Sequence, residues 1–497
     1  MYMNAFLCLC LAGKKYLSSE IFKYIWHFAY IIVPLQRSLR ITDMKSNVSF
    51  LCFSCRRRGG NDSFLPTLVF LIALLMPGRA EAQSDAMQSR MDRSRLNIGA
   101  YILQPYARTE QHVRDIAGCG IDFMTSISYD KGLLDLFHKY HIGAVVNGVV
   151  PGWWGGDGSN AGQLSQKNPL SAYEKAAASF QDHPAIWGID IGDEPSALDF
   201  PHYGRVYEKV SQLFPRQFPY LNLYPNYASV SQNTAQQTVN QLGTATYQQH
   251  IAEYIKHVPS DYVCYDFYLY SINVHQAYEN LRTVSDACLG AGRSMWIVLQ
   301  VNSSDSTRWI SENQLRFQAY TAMAFGAENI IWGCYTAGWW YNNVLDTKGQ
   351  KTPQYDKLRR INAELHRLGP AYMKYRRVRT DFVSFQGTKW LQDVGQQGLP
   401  SLSNGTFTDL QATDRCPLVV GSMVSRSGNG DRALFVCAAD DPYDEHPAVH
   451  TITFKAEGRR ISVMGTEGPL PLKVGADGTY SIDLASNQGA LIEAVVY

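Results

Sequence analysis

The sequence predicts a TIM-type (β/α)8 barrel followed by a C-terminal antiparallel β-sandwich. Three observations carry this expectation. From about residue 97 to 370, short apolar runs alternate with segments of helical period, the mark of βαβ units and a parallel sheet. Eight such runs fall within about 270 residues, which fits a closed barrel in number and length. After Gly369-Pro370 the helical period disappears and short alternating runs separated by turn residues take over.

The barrel strands are expected at 97–104, 121–128, 142–150, 186–192, 220–224, 262–268, 295–301 and 329–335. Helical period is clearest at 171–180, 203–213, 247–257, 274–289, 312–325 and 354–368. A doubly wound open sheet would compete, but no G-x-G-x-x-G follows the first strand. The sandwich strands are expected at 382–385, 418–425, 433–438, 451–455, 461–464, 480–484 and 491–497. Ser427-Gly428-Asn429-Gly430 and Ala476-Asp477-Gly478 supply turns between them. The domain boundaries read as 1–82 for an N-terminal extension, 90–370 for the barrel and 380–497 for the sandwich.

At 497 residues with a formal net charge of +1, the chain gives no electrostatic case for nucleic acid or an anionic membrane as partner. Arg56-Arg57-Arg58 precedes an apolar run from Phe64 to Met76, which leads to Ala80-Glu81-Ala82 before Gln83. Basic, apolar and small-residue regions in that order make a secretory signal peptide, so a secreted or periplasmic protein beginning near Gln83 is expected. The apolar run is too short to span a bilayer. Met44 is the expected translation start. Six cysteines follow the cleavage point at wide, irregular spacings, so no zinc site and no other cofactor is expected. Cys264 and Cys334 lie in apolar strand runs and read as buried thiols, whereas Cys416 and Cys437 could bridge.

In such a barrel the reactive groups stand at the C-terminal ends of the strands. Strand four ends Trp187-Gly-Ile-Asp-Ile-Gly-Asp-Glu-Pro195, two adjacent acids fixed by a proline after a buried strand. Further marks are Asn222-Leu-Tyr-Pro225 on strand five and Tyr265-Asp-Phe-Tyr268 on strand six. Leu315-Arg-Phe-Gln-Ala-Tyr320 and Ala324-Phe-Gly-Ala327 precede strand eight, and Thr352-Pro-Gln-Tyr355 and Asn362-Ala-Glu-Leu365 lie on the last helix. As a set, these motifs resemble the clan of barrel glycosidases whose acid/base Glu ends strand four, often in Asn-Glu-Pro. More narrowly they are similar to its family 42-like branch. The resemblance covers roughly residues 97–370 and implies Glu194 as acid/base, with Asp193 in the place of the Asn that binds the sugar 2-hydroxyl.

Cleaving a glycosidic bond needs a proton donor on the leaving oxygen and a second carboxylate across the anomeric carbon. In the resembled clan that second group is a Glu ending strand seven, where this sequence has Gln300. An amide cannot be that carboxylate. Asp266, ending strand six, is the substitute expected here, as base or nucleophile, unless it only orients neighbouring side chains. Asp193 adjoins Glu194, and in an extended strand their side chains would point to opposite faces. Sugar contacts are expected from Asp193, Asn147, Trp153, Trp154, Tyr224, Asn226, Tyr268, Gln300, Trp339 and Trp340, with either Trp339 or Trp340 as a stacking platform. The expected activity is hydrolysis of O-glycosidic bonds in a glycan. A non-catalytic carbohydrate-binding barrel, or a transglycosylase on the same scaffold, is the alternative.

Overall fold

The computed structural model describes residues 89–154, 160–229, 241–271, 274–384, 398–444 and 446–497. The segment read as a signal peptide and the expected start at Met44 lie outside them. Eight strands close into a barrel in chain order, each parallel to the next, with β8 returning to β1. They are β1 (Asn97–Tyr101), β2 (Phe123–Ser128), β3 (Gly143–Asn147), β4 (Ile186–Asp193), β5 (Phe218–Leu223), β6 (Tyr262–Phe267), β7 (Ser294–Gln300) and β8 (Ala327–Gly333). All six residues of β6 are buried, as expected for a strand covered on both faces.

The barrel is filled, not hollow. Phe123, Val145, Tyr220, Tyr262, Trp296, Val298 and Ile331 form its inner cluster. Gly143 makes room for the Trp187 indole, since a Cβ there would lie 2.1 Å from a ring carbon. The Arg93 guanidinium closes the lower end over the rings of Phe218, Tyr262 and Trp296, at 5.2, 5.6 and 5.3 Å. Arg93 also pairs with Asp261.

Around the barrel run α1 (Glu110–Gly118), α2 (Lys131–Lys139), the short α3 (Leu164–Lys167), α4 (Leu170–Ala177), α5 (Phe200–Leu213), α6 (Tyr247–His257), α7 (Val274–Ala291), α8 (Glu312–Ala324) and α9 (Pro353–Tyr372). Their starts follow from local chemistry. Thr109, Asp130, Thr246, Ser311 and Thr352 each accept a hydrogen bond from a first-turn amide. Ser311 and Gln314 complete a reciprocal capping box, and Glu312 occupies the first turn, where the helix dipole favours an acid. Helix α9 runs through Pro370 to Tyr372, beyond the boundary read at Gly369-Pro370. A proline in a last turn removes one hydrogen bond and leaves few downstream bonds to disturb. Among the described residues no helix is long and apolar enough to cross a membrane.

The antiparallel domain starts at β9 (Tyr375–Val383) and continues through β10 (Phe407–Ala412), β11 (Leu418–Ser425), β12 (Arg432–Ala438), β13 (Val449–Ala456), β14 (Arg460–Gly465), β15 (Gly468–Pro469), β16 (Lys473–Val474), β17 (Tyr480–Ala485) and β18 (Gly489–Val495). Six strands pair in the order β15-β14-β18-β12-β11-β9 and four in the order β10-β13-β17-β16. One face of the larger sheet, through Phe382, Val419, Phe435 and Leu491, joins the core of the barrel's helical layer. Its other face, with Val420, Leu434 and Ile492, packs with Phe407, Ile452 and Phe454 of the smaller sheet. The same division corrects the bridge considered between Cys416 and Cys437. Cys437 points to the barrel and Cys416 into the sandwich, and both remain free thiols.

Candidate active site

Strand β4 delivers its acids through a local departure from regular pleating. Asp190 is in register with Tyr220 and Asp193 with Asn222, so three residues of β4 span two of β5. The extra residue is a β-bulge at Ile191-Gly192, and it turns both Asp190 and Asp193 toward the barrel interior that Tyr220 faces. Gly192 has φ of +152°, and a Cβ there would sit 2.2 Å from the Tyr203 hydroxyl and 2.5 Å from the Trp153 carbonyl oxygen. Glu194 then takes φ of +45°, rare for a residue with a side chain. Strand alternation therefore does not govern how Asp193 and Glu194 point.

Asn222 is the hub of the site. Its Nδ2 donates to Asp266 Oδ1 at 2.8 Å and to Asp193 Oδ1 at 3.1 Å. The Cys264 thiol donates to Asn222 Oδ1 at 3.4 Å, which fixes the orientation of the amide. Behind Cys264, Tyr220 lies 3.5 Å from its Sγ, and Tyr220 and Tyr101 share a hydrogen bond of 2.7 Å between hydroxyls. Tyr227 donates to Asp266 Oδ2 at 3.4 Å and packs edge-on against Phe267. Burial raises the pKa of the Tyr227 phenol, and the charges of Asp266 and Glu194 raise it further.

The carboxyl groups here are poorly solvated. Burial, then the charge of Asp193, raises Asp266 well above the usual carboxylate range. Burial raises Asp193 as well, against the bond from Asn222. Asp190 is pushed up to about 7, first by burial and then by Asp193, while the Gly192 amide donates to it at 2.9 Å. Burial thus favours the protonated form of all three acids, a perturbation typical of sites of acid/base chemistry.

Glu194 stands at the edge of this cluster, half-buried, with its backbone amide donating to the Asn222 carbonyl at 2.9 Å. The Trp154 indole N–H donates to Glu194 Oε2 at 3.4 Å. The Trp153 carbonyl accepts from the Asp193 amide at 2.9 Å, so the β3–β4 loop is stitched to the end of β4. The two tryptophans divide their roles. Trp153 packs against the helical-layer core, and Trp154 is 61% exposed beside Glu194. Residues 155–159 of that glycine-rich loop lie outside the described residues.

On the opposite side, β8 ends in a cis peptide between Gly333 and Cys334. Trp339 packs edge-on to Tyr101 at 5.9 Å and tilted to Tyr268 at 5.6 Å. Trp340 meets Tyr268 edge-on at 5.0 Å. Trp339, Trp340 and Tyr268 thus wall the mouth by packing on one another, and the more exposed ring is Trp154. Asn147 stays half-buried at the end of β3, 3.4 Å from the Ser126 hydroxyl.

Three expected sugar binders are placed elsewhere. Tyr224 is buried in the helical-layer core against His250. Asn226 ties its turn to α7, its backbone N–H donating to Asn280 Oδ1 at 2.6 Å and its Nδ2 donating to the Gln276 carbonyl. Gln300 is 1% exposed, with Oε1 accepting from the Tyr270 amide and Nε2 donating to Ser271 Oγ and the Asn302 carbonyl. It joins the loops after β6 and β7. Asp190, Asn222, Tyr227 and Tyr101 were not among the residues expected from the sequence. Asp190 was visible as the earlier acid of the strand-four motif, three residues before Asp193.

No family model matches the chain, and no curated protein matches it. Several solved structures are similar to it. A cycloisomaltooligosaccharide glucanotransferase from Paenibacillus sp. has 8% identity and a TM-score of 0.48, over 82% of this chain and 85% of its own. A family 27 β-L-arabinopyranosidase from Geobacillus stearothermophilus has 10% identity and a TM-score of 0.43, over 81% and 96%. A family 5 mannosidase from Rhizomucor miehei has 12% identity and a TM-score of 0.35, over 54% and 92%.

Proposed function

We propose that the chain is a secreted glycoside hydrolase of the clan its strand-end motifs resemble, with an affinity to the family 42-like branch. The observation that carries this reading is the pairing of Glu194 with a second acid held ready at the same mouth. Glu194 is half-exposed beside Trp154, and Asp266 is fixed by Asn222 and Tyr227. Glu194 protonates the leaving oxygen, Asp266 serves as base or nucleophile on the other side of the sugar, and Trp154 offers a ring for stacking. The tethered Gln300 takes no part in bond cleavage.

A non-catalytic sugar-binding barrel is the second reading, favoured by the missing carboxylate at Gln300. Release of reducing sugar from a panel of glycans separates the two. Glu194→Gln is expected to lower the rate on a natural glycan by about 100- to 10,000-fold, the usual worth of a general acid, with the fold intact. Equal turnover by the variant and the parent would remove Glu194 from the mechanism. NMR of the first-formed anomer then assigns inversion or retention.

A further inference from the structure

We propose a second binding site, for a tetrahedral oxyanion such as phosphate or sulfate, where the lower end of the barrel meets the sandwich. A cavity of about 160 Å³ opens there between the end of α7, the starts of β7 and β8, and strand β9. Ser285, Arg293, Glu328, Arg376, Arg377 and Arg426 line it. It lies at the N-terminal ends of the barrel strands, the face opposite Glu194 and Asp266.

Three donors in this lining lack acceptors among the described residues. The Arg377 side chain is 6% exposed. Its Nε bonds Thr380 and its Nη2 pairs with Asp286 at 2.7 Å, but its buried Nη1 has no partner. Arg293 is held by a bond from Nη2 to the Ile255 carbonyl at 2.7 Å, and its Nη1 is likewise buried and unpartnered. Ser285, 3% exposed, has an unpartnered hydroxyl. Arg426 and Arg376 complete the lining, and Arg376 is exposed at its entrance.

Buried N–H groups on guanidinium ions are costly to leave unmade. The one lining acid, Glu328, is already engaged by Arg426 and by Ser294 Oγ at 2.7 Å. Glu328 and Asp286 balance two of the four arginines, and the remaining surplus of positive charge is one that water can hydrogen-bond but cannot neutralise. Guanidinium forks match the oxygen geometry of phosphate and sulfate, and a hydroxyl adds one donor. The volume would hold roughly five waters, enough for such an ion. A bound oxyanion would join Arg293 of the barrel to Arg377 of the sandwich.

The test is calorimetric titration of the full-length chain with inorganic phosphate, inorganic sulfate and glucose 6-sulfate, at constant ionic strength in sodium chloride. One saturable site is expected, weakened about tenfold or more in Arg293→Gln, since a hydrogen bond to a charged group is lost. Ser285→Ala, a smaller change, should weaken it as well and guards against misfolding of the arginine variant. Tighter binding of the sulfate ester would mark a glycan ester as the source of the anion, and tighter binding of the inorganic ions a free ion. Absence of saturable binding by all three ligands, or equal affinity in the parent and both variants, would overturn the proposal.

Discussion

Replacing Asp193 by Asn tests whether Asp266 is a working acid/base group tuned by its neighbour. Both carboxylates accept from the same Asn222 nitrogen, at 3.1 and 2.8 Å, so the bonded oxygens are no more than about 6 Å apart. At that separation and an effective dielectric of about 20, two unit charges repel by about 2.8 kcal/mol, or about two pKa units. Burial raises Asp193 itself, so part of that charge is absent near neutrality, and a shift of about one to two units is expected. Asn can still accept the bond from Asn222, so the geometry should survive. If ionised Asp266 is the base, activity in the parent enzyme rises as pH climbs through its raised pKa. In Asp193→Asn this acid limb should move to lower pH. A second readout needs no substrate. An acid whose pKa is raised by folding keeps its proton in the native state between about pH 4 and 7, where the unfolded chain has lost it. Stability therefore falls as pH rises through that window, and the fall should be shallower in Asp193→Asn, as measured by melting temperature from pH 4 to 8. An acid limb that stays put or moves up, with an unchanged pH-stability slope, would refute the coupling.

Other outcomes follow from the same geometry. Trp154→Ala should weaken glycan binding by about 1–3 kcal/mol, the worth of a large apolar face, whereas Trp339→Ala should act mainly on melting temperature because that ring packs on Tyr101 and Tyr268. Unchanged affinity for a cleaved glycan in Trp154→Ala would move the stacking surface elsewhere. Gly192→Ala should destabilise by about 2–4 kcal/mol and lower activity together, since the new methyl would meet the Trp153 carbonyl that fixes Asp193. Denaturant unfolding at parental midpoint would contradict that. Asp190→Asn should raise the melting temperature at pH 8 more than at pH 5, because burial disfavours the Asp190 charge only where it is ionised.

How far the sequence could be read depended on whether local chemistry or distant packing set the outcome. Strand β6 was legible because it is buried on both faces and all its residues but Asp266 are apolar or aromatic, and α6 was legible because Thr246 caps it and its apolar period is clean. Strand β10 escaped notice for the opposite reason. Its pairing with β13 shifts between Thr408 and Gln411, with Asp409 at φ of +56°, so its apolar residues do not alternate. The residues of the site divide in the same way. Glu194 and Asp266 could be placed because strand ends can be counted along the chain. Tyr224 and Asn226 could not, because which way they face depends on the turn after β5 and on Asn280 and Gln276 of α7, some 50 residues away.

The bulge in β4 is the decisive case. A regular strand would carry Asp190 and Gly192 inward and turn Asp193 out, leaving Asp266 with Asn222 and Tyr227 for company and no neighbouring charge. The extra residue at Ile191-Gly192 brings Asp193 inward beside Asp266 and frees Glu194 to leave the strand under Trp154. Only glycine fits at 192, because the Tyr203 hydroxyl and Trp153 carbonyl occupy the space of a side chain. One residue without a side chain thus separates Glu194, at the edge of the site, from the inward-facing pair of Asp193 and Asp266. The difference in setting between Glu194 and the pair Asp193 and Asp266 begins in that turn of the backbone.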